Sequence, residues 1–418
     1  MKLRHFFIPL LVLIAACNGN HSDFAIDINT GIADYRFPNE PTIAVSRKSN
    51  NNLAIAANMN WFYRSKDGGQ TWNTYKVSSA AGVWGDPCLV SDNEGNFYLF
   101  HLSAPNGYEE ESWLDRIVCQ KWNDEKNEME PLAFLGDSSN YKWKDKCCAI
   151  YIPKQNRFAA AWTEFDSMPG STHNGQSNIV FSYSDDSGKS WTAPMQVNTI
   201  AGDCSLGDST ATAVALDYDA DGNIYAVWPR LDSIWIKKFD ATTLQWDSIE
   251  HLVSTQQNGW RYSLPGLMWC NGWPSFSVDR RSSTTEKMYC AFGLQDKRLS
   301  EIVLMTSEDK GVHWNQISLP ISRNSLYFPC VRVNEKTGTV AVFHYALSSF
   351  QDTVLRAGIY VSKDGGLNFL SEVYNEPYHV STSVFMGDYI SMASSGNYFY
   401  TTWTARDNEG THICFRKQ

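Results

Sequence analysis

The segment SKDGGQTW, from Ser65 to Trp72, decides the fold, because its pattern returns three times along the chain. The pattern is Ser-x-Asp-x-Gly-x-x-aromatic, and the other copies are SDDSGKSW from Ser184, SEDKGVHW from Ser307 and SKDGGLNF from Ser362. Each copy follows one strand-like run and precedes another, which is typical of a hairpin turn. Four hairpins with the same turn indicate a fold built from one repeated unit.

Within each copy, the residue types suit a tight turn. The Asp side chain accepts hydrogen bonds from turn amides, and the Gly takes positive φ without strain. The aromatic ring re-enters the sheet and covers the turn. These structural roles fall on Asp67, Trp72, Asp186, Trp191, Asp309, Trp314, Asp364 and Phe369.

The four segments resemble the Asp-box, or BNR, repeat of sialidases and related β-propellers. The resemblance implies an all-β propeller of four-stranded antiparallel blades. It also implies that each copy staples the outer hairpin of a blade, on the side remote from the active face.

A second repeat predicts the number of blades. It consists of a short inner strand, a turn with Gly, Asp or Asn, and an apolar strand. Its seven copies start at Glu40, Asp86, Lys146, Thr210, Trp273, Phe328 and Asp388. We therefore predict one seven-bladed propeller domain over 24–418, with degenerate outer turns near Asn123 and Thr242 and with a six-bladed ring as the alternative. The seventh unit lacks an outer strand, which we expect the segment FAIDINT (24–30) to supply, closing the ring.

The first 23 residues have the pattern of a targeting segment. Lys2 and Arg4 precede the apolar run 6–16, and small residues lead into Cys17. This region resembles a bacterial lipoprotein lipobox, which implies a signal peptide over 1–17, lipidation of Cys17 and a tether over 18–23. The protein would then be anchored in the cell envelope, at the outer membrane or the cell surface, through acyl chains. An ordinary secretory signal with an incidental Cys is the alternative.

Nine further Cys follow, in spacings that match no zinc or disulfide framework. Several lie in strand-like runs, where a thiol behaves as a small hydrophobe. The formal net charge is -10 and there is no long Lys/Arg run, which argues against nucleic acid as a partner. Aromatic residues make up 14% of the chain, which suits many short strands.

Candidate site residues follow from the propeller topology, in which the loops before the inner strands and after the second strands meet around a central channel. We expect catalytic roles for Glu40, Asp86, Arg230, Asp388 and Tyr389. We expect ligand-binding roles for His101, Glu164, Asp208, Trp260, Arg261, Trp269, Trp273, His344 and Arg406. Aromatic rings beside acids suit the C–H faces and hydroxyls of a sugar.

Each of these residues also has a structural interpretation. The acids at the strand starts would cap loop amides, and the two histidines would be satisfied at the edge of the core. The Trp-rich loop 254–272 would fold back as a plug over the channel, and Arg230 would form an ion pair.

Comparison with sialidases follows from the same resemblance. Tyr389 resembles the family's nucleophile, and Arg230 resembles the second of its three carboxylate-binding arginines. The Glu that activates the nucleophile has no counterpart, since Ser209–Thr212 stands in its place. Tyr35–Pro38 resembles the family's Phe/Tyr-Arg-Ile-Pro motif, which precedes the first inner strand. It lies three residues too early, since Pro41 is the proline that leads into the strand. Arg332 and Arg406 are candidates for the third arginine.

One segment suggests a metal. Asp217, Asp219 and Asp221, followed by Gly222, have the spacing that begins a calcium loop. The twelfth position is Trp228 rather than Glu, so a plain turn is the alternative. We expect no other cofactor.

Three functions remain open from the sequence. The first is a glycan-acting propeller that binds or hydrolyses an oligosaccharide at the channel mouth, with a pair of carboxyls if it is a hydrolase. The second is a non-catalytic scaffold for an envelope protein partner, because many propellers only bind. The third is an exo-α-sialidase.

Overall fold

The computed structural model describes the backbone of residues 26–27 and then residues 38–104, 114–136, 142–170, 174–256, 259–264, 266–267, 270–282, 286–296, 299–348, 354–374, 377–382, 384–407 and 410–418. Cys17, Trp269 and Tyr35–Phe37 lie outside these ranges. The described residues form strands and turns without a helix. In these ranges, accordingly, no helix has the length and apolar character needed to cross a membrane.

The strands begin with β1 (Ile26–Asp27) and then follow in sequential blades. The first blade contains β2 (Asn39–Val45), β3 (Leu53–Asn58), β4 (Trp61–Ser65) and β5 (Asn73–Lys76). The second contains β6 (Gly85–Ser91), β7 (Phe97–Leu102), β8 (Ile117–Asn123) and β9 (Glu128–Leu135). The third contains β10 (Trp143–Ile152), β11 (Arg157–Phe165), β12 (Gln176–Ser184) and β13 (Met195–Gln196), with β14 (Gly202–Asp203) also on β12.

The remaining blades repeat this order. The fourth contains β15 (Ala215–Tyr218), β16 (Ile224–Arg230), β17 (Ser233–Asp240) and β18 (Gln245–Trp246), with β19 (His251–Thr255) also on β17. A small hairpin, β20 (Arg261–Tyr262) and β21 (Cys270–Asn271), precedes the fifth blade of β22 (Ser275–Asp279), β23 (Lys287–Asp296), β24 (Leu299–Ser307) and β25 (Asn315–Ile317). The sixth contains β26 (Ser325–Val333), β27 (Val340–Leu347), β28 (Val354–Ser362) and β29 (Leu370–Val373), with β30 (Tyr378–His379) also on β28. The seventh contains β31 (Ser391–Ser395), β32 (Tyr398–Arg406) and β33 (Thr411–Lys417).

Strand β1 completes the seventh blade. Ile26 pairs with Phe415 and Asp27 pairs with Cys414 in an antiparallel ladder, so the first described residues close the ring on the last strand. The prediction of seven four-stranded antiparallel blades is confirmed, and the six-bladed alternative is wrong.

The hydrophobic core is divided among the seven interfaces between blades, one cluster to each. Strand β3 shows why the strands are apolar on both faces. Leu53 and Ile55 pack toward the seventh blade, whereas Ala54 and Ala56 pack toward the second. Because neighbouring blades cover both sides of each sheet, alternation of apolar and polar residues is lost in the middle strands.

The four turns that contain the Ser-x-Asp-x-Gly-x-x-aromatic pattern, here called the repeat turns, share one geometry. In the first, the Ser65 hydroxyl accepts a hydrogen bond from Gly69 N (2.9 Å) and donates to Asp67 (2.8 Å). Asp67 accepts from Thr71 N (2.9 Å), and Trp72 Nε1 donates to Gly69 O (3.1 Å). The copies starting at Ser184, Ser307 and Ser362 reproduce these serine contacts. The sequence pattern therefore encodes the closure of four outer hairpins.

The second and fourth blades close with different turns, as expected near Asn123 and Thr242. Asn123 Oδ1 accepts hydrogen bonds from the amides of Glu125 and Lys126. Asp240 Oδ1 accepts from the amides of Thr242 and Thr243. In each of these two turns, one side-chain oxygen at the end of the blade's third strand accepts the turn amides.

Candidate functional site

The inner strands carry an irregularity at the channel mouth. The register of β2, β6, β10 and β26 shifts there, as at a β-bulge. Five non-glycine residues at equivalent positions have φ between 48° and 52°, in the left-handed region: Glu40, Asp86, Lys146, Ala213 and Phe328. Bulges re-aim side chains, and unfavourable backbone conformations concentrate at functional sites.

Three of these five residues, with Asp388, form a charged cluster that we call the acid cluster. Lys146 Nζ lies 2.9 Å from Asp86 Oδ2, 2.8 Å from Asp388 Oδ2 and 3.9 Å from Glu40 Oε1. The Glu40 side chain is 1% exposed and that of Lys146 is 14% exposed. One ammonium group from the third blade therefore joins carboxyls from the first, second and seventh blades.

Asn58, at the end of β3, connects the first two blades beneath the cluster. Its Oδ1 accepts a hydrogen bond from Asp86 N (2.7 Å), and its Nδ2 donates to Glu40 Oε2. Glu40 Oε1 accepts from Asp388 N (2.9 Å). Gly387 permits this approach, since a Cβ on it would lie 2.6 Å from Glu40 Cγ. The cluster is thus held by hydrogen bonds as well as by charge.

The carboxyls of the acid cluster differ in acidity. Burial, and then the charge of Asp86, raise the pKa of Glu40 well above its usual range. Burial also raises the pKa of Asp388, against the effect of Lys146. Burial opposes the charge of Asp86, yet Lys146 and a hydrogen bond with Glu40 hold its pKa below its usual range. Neighbouring carboxyls with opposite shifts suit a proton donor and an ionised partner.

Asp145 extends the cluster on its outer side. Burial raises the pKa of Asp145 to about 7, and its Oδ1 accepts the amide of Lys146 at 2.8 Å. Burial opposes the charge of Lys146, yet Asp388 and Asp86 raise its pKa well above its usual range. Lys146 is therefore charged at neutral pH and is the counter-ion of the cluster.

The acid cluster separates two cavities. A cleft of about 390 Å³ on the outer side is lined by Asn39, Glu40, Asn58, Met59, Trp84, Asp86, Leu114, Asp145, Lys146, Met168, Pro169, Leu206, Phe385 and Asp388. A cavity of about 200 Å³ lies in the channel between the seven inner strands, and it also contacts Asp86, Lys146 and Asp388. Asp388 Oδ1 is buried and has no hydrogen-bond partner among the described residues.

Two predicted aromatic residues line the channel cavity beside the cluster. The ring centres of Trp273 and Tyr389 lie 5.0 Å and 5.8 Å from Lys146 Nζ. Burial, and then the charge of Glu40, raise the pKa of Tyr389 well above its usual range. Tyr389 is therefore a neutral phenol, and an ionised nucleophile is disfavoured there.

The Trp-rich loop packs against the propeller through a buried ring and through hydrogen bonds to Asp208. Trp260 is fully buried, and its amide and that of Arg261 both donate to Asp208 Oδ1 at 3.0 Å. Arg261 also donates to Leu206 O (2.9 Å). Asp208 therefore caps the loop, and Trp260 packs against Trp273 at 5.7 Å between ring centres. Neither Trp260 nor Arg261 is among the residues that line the two cavities.

The predicted histidines are buried inside the second and sixth blades, and among the described residues only the His101 ring has partners on both nitrogens. His101 contacts Leu102 O and Gln120 Oε1, and burial lowers its pKa. Burial lowers the pKa of His344 to about 4, and its Nδ1 lies 3.2 Å from Tyr345 O. Both imidazoles are consequently neutral at physiological pH.

The other predicted polar residues lie apart from the acid cluster. Glu164 pairs with Lys142 and Lys144, each at 3.2 Å. Arg230 is 4% exposed and donates to Ile200 O (2.6 Å), and burial lowers its pKa. Arg406 ends β32, and its buried Nε has no partner among the described residues. None of the three lines either cavity.

The arrangement of arginines differs from the one that the sialidase resemblance implies. Arg332 alone among the described arginines lines the channel cavity, and its guanidinium donates to the carbonyls of Met392, Phe276 and Val331. The described residues thus bring no three arginines together beside Tyr389. The cation beside Tyr389 is the ammonium group of Lys146.

The calcium candidates are used in other contacts. Asp217 pairs with Arg280 and accepts from Val278 N (2.8 Å). Asp219 accepts from the amides of Asp221 and Asn223, as in a plain turn. Among the described residues, no group of three or more His, Cys, Asp or Glu side chains has the geometry to hold a metal ion.

Comparisons with known proteins identify the fold. No family model and no curated protein matches the chain. An ulvan lyase solved with a -[GlcA(1-4)Rha3S]- ligand aligns with a TM-score of 0.54 and 11% identity, over 90% of this chain and 93% of that one. A Hadza microbial sialidase aligns at 0.49 and 14%, over 88% and 73%, and a Penicillium chrysogenum α-L-arabinanase at 0.48 and 14%, over 94% and 97%. The likeness to the ulvan lyase shows that this chain shares the propeller fold of a glycan-processing enzyme.

Proposed function

We propose that the cleft over the acid cluster binds and processes glycans, with Asp388 as the proton donor and Asp86 as the ionised carboxylate. One observation carries the proposal: Asp86 and Asp388 contact the same Lys146 ammonium, yet their pKa values are shifted in opposite directions. Asp388, whose pKa is raised, also has an oxygen without a hydrogen-bond partner among the described residues. Pairs of this kind mark acid and base roles in enzymes.

The cleft has the dimensions and lining for a sugar. Its volume of about 390 Å³ falls in the range of small-molecule sites, which is roughly 300 to 1,000 Å³. Trp84 and Phe385 provide apolar rings, and the acid cluster provides acceptors for hydroxyl groups. The ulvan lyase that shares the propeller fold acts on a polysaccharide by its description, which supports a glycan substrate here.

The spacing of the carboxyls favours hydrolysis with retention. Asp86 Oδ2 and Asp388 Oδ2 each contact the same ammonium nitrogen, at 2.9 and 2.8 Å. Two such oxygens lie within about 6 Å of each other, nearer to the spacing of retaining than of inverting glycosidases. Asp388 would protonate the leaving oxygen, and Asp86 would attack the anomeric carbon. Asp388 would then deprotonate the water that hydrolyses the glycosyl intermediate.

The test is turnover by the purified full chain on a panel of neutral polysaccharides, ulvan and fluorogenic sialosides, with binding measured on a glycan array. Asp388→Asn and Asp86→Asn should lower turnover by about 10² to 10⁴ while binding persists. The control is Asp247→Asn, an exposed Asp on the fourth blade. Equal losses in all three variants, or a protein that neither binds nor turns over any glycan, would overturn the proposal and favour the scaffold hypothesis.

We further propose that Cys17 is lipidated and holds the propeller at the cell envelope. The lipobox-like pattern around Cys17 supports this, and the tether 18–23 would leave the propeller close to the membrane. Cys17→Ser should move the protein from the membrane fraction to the soluble fraction, whereas Cys290→Ser should leave it in the membrane fraction. A wild-type protein found in the soluble fraction contradicts this proposal.

A further inference from the structure

The channel cavity contains a ring of seven small side chains, one from each inner strand. All seven line the cavity of about 200 Å³. Five of them lie two positions after one of the residues with φ between 48° and 52°, and the other two begin β22 and β31. In blade order they are Thr42, Cys88, Cys148, Ala215, Ser275, Cys330 and Ser391. The ring therefore contains three hydroxyls, three thiols and one methyl group.

The structural task of this position is to connect neighbouring blades. Thr42 Oγ1 accepts a hydrogen bond from Leu89 N (3.3 Å), and Ser275 Oγ accepts from Val331 N (2.9 Å). In the same way, Cys88 Sγ accepts from Ala149 N (3.2 Å). Since a hydroxyl performs this task elsewhere in the ring, the fold does not require thiols at this position in the second and third blades.

Cys88 and Cys148 are neighbours in the ring, because they occupy the same position in adjacent blades. Cys88 Sγ lies 3.2 Å from Ala149 N, the amide that directly follows Cys148. Both are free thiols, and Arg332 on the same cavity places a positive charge near Cys148. By contrast, Cys330 lies in the sixth blade, separated from the pair by Ala215 and Ser275 in ring order.

We propose that Cys88 and Cys148 bind one soft monovalent cation, Cu(I) or Ag(I), between their sulfur atoms inside the channel. Thiolates select soft metals, and two sulfurs in line satisfy a d¹⁰ monovalent ion. Apart from the Cys330 thiol in the sixth blade, the other ring members offer hydroxyls and a methyl group, and the carboxylates of Asp86 and Asp388 are paired with Lys146. The described residues therefore offer a hard divalent ion no matching ligand set at this level of the channel.

Binding is a proton exchange with no redox step. Two thiols and one cation give a bis-thiolate complex and two protons, and the complex carries a net charge of minus one. The guanidinium of Arg332 lies on the same cavity and offsets that charge. Affinity should therefore increase with pH, as for any site whose ligands must lose protons.

The experiment is a titration of the reduced full chain with Cu(I) against a chromophoric Cu(I) chelator, followed also by the ultraviolet thiolate-to-Cu(I) absorption. We expect one equivalent of Cu(I), unaffected by excess Mg(II). Cys88→Ser and Cys148→Ser should each weaken binding by more than about tenfold. Serine is the natural occupant of this ring position in two other blades, so both variants should fold, which thermal unfolding checks.

The matched control is Cys330→Ser, which changes the same ring position on the same cavity in a blade that is not adjacent to the pair. It should bind Cu(I) as tightly as the unchanged chain. Equal loss in all three variants, absence of Cu(I) binding after full reduction, or a Cys88–Cys148 disulfide that excludes Cu(I) under non-reducing conditions would overturn the proposal.

Discussion

The acid cluster and the repeat turns use the same residue types in opposite ways. Hydrogen bonds, first of all with the residue four positions on, lower the pKa values of Asp186, Asp309 and Asp364 to about 2. At the channel mouth, burial raises the pKa values of Glu40 and Asp388 instead. An exposed carboxylate surrounded by amides stabilises a turn by its charge, whereas burial makes a carboxyl hold its proton more tightly.

The comparison predicts the largest effect at Lys146. Lys146→Met removes the cation that contacts Asp86 and Asp388, and loss of one partner from a buried ion pair costs about 3 to 5 kcal/mol. The loss in the free energy of unfolding, measured by urea denaturation, should be greater at pH 8 than at pH 5. Without the cation, the buried carboxyls of Asp86 and Asp388 must bind protons to stay buried, and this costs more free energy at higher pH. Lys154→Met, an exposed lysine paired with Asp221 at 3.5 Å, should change it by less than about 1 kcal/mol. Equal effects would remove the distinction between the two kinds of charge.

The second effect is the pH dependence of stability. Asp145 has a pKa of about 7 in the folded protein, above its unfolded value, so the folded state binds more protons between about pH 4 and 7. Because of Asp145, the free energy of unfolding should fall as the pH rises from about 4 to 7. The repeat turns act in the opposite direction, since their low pKa values add stability that is lost as the pH falls below about 4 toward 2.

Asp145→Asn tests this pH dependence. It keeps the oxygen that accepts the Lys146 amide and should flatten the decline between pH 4 and 7 by an amount on the order of 1 to 3 kcal/mol. Urea denaturation at a series of pH values measures it. An unchanged slope in the variant would contradict the assignment of the decline to Asp145.

The third effect lies in the repeat turns. Ser184→Ala leaves the buried amide of Gly188 without its acceptor and should lower the free energy of unfolding by about 1 to 2 kcal/mol. The same change at Ser65 should add to it, because the two turns are in different blades and share no partner. Glycan turnover should be unchanged in both variants, whereas a loss of turnover would mean that the turns influence the cleft.

The smallest expected effect is an increase in stability, at the repeat turn of the sixth blade. Trp72, Trp191 and Trp314 each donate Nε1 to the glycine carbonyl of their turn, at 3.0 to 3.1 Å, whereas Phe369 has no donor. Phe369→Trp should supply the missing bond to Gly366 and raise the free energy of unfolding by about 0.5 to 1 kcal/mol. A small increase in melting temperature measures it, and a decrease would indicate that the sixth blade lacks room for the larger ring.

The turns were predictable from the sequence, whereas the acid cluster was only partly so. Each repeat turn is local, so Ser65 to Trp72 contains all the residues that make its hydrogen bonds. Glu40, Asp86 and Asp388 could be placed at the channel mouth because they begin repeats. Their common partner, Lys146, could not be predicted in this way, because a contact among four blades depends on how the ring closes. The signal for Lys146 was nevertheless present, because it begins the third repeat at the position of Glu40 and Asp86.

The aromatic loop shows a different limit of sequence reasoning. Trp260 and Trp273 both suit a sugar site by residue type, but only Trp273 lines the channel cavity. Trp260 is fully buried, and its indole nitrogen lies 3.3 Å from Asp208 O. The composition of a loop does not reveal which of its rings fill the core, because burying a large ring is itself strongly favourable.

The closure of the ring by β1 also has a consequence in time. The ribosome synthesises the chain from its first residue, and at about 5 to 20 residues per second the partner strand β33 follows roughly 20 to 80 seconds later. During that interval Ile26 and Asp27 have no strand to pair with. The pairing that closes the ring therefore follows the synthesis of nearly the whole chain, whatever the order in which the other blades fold.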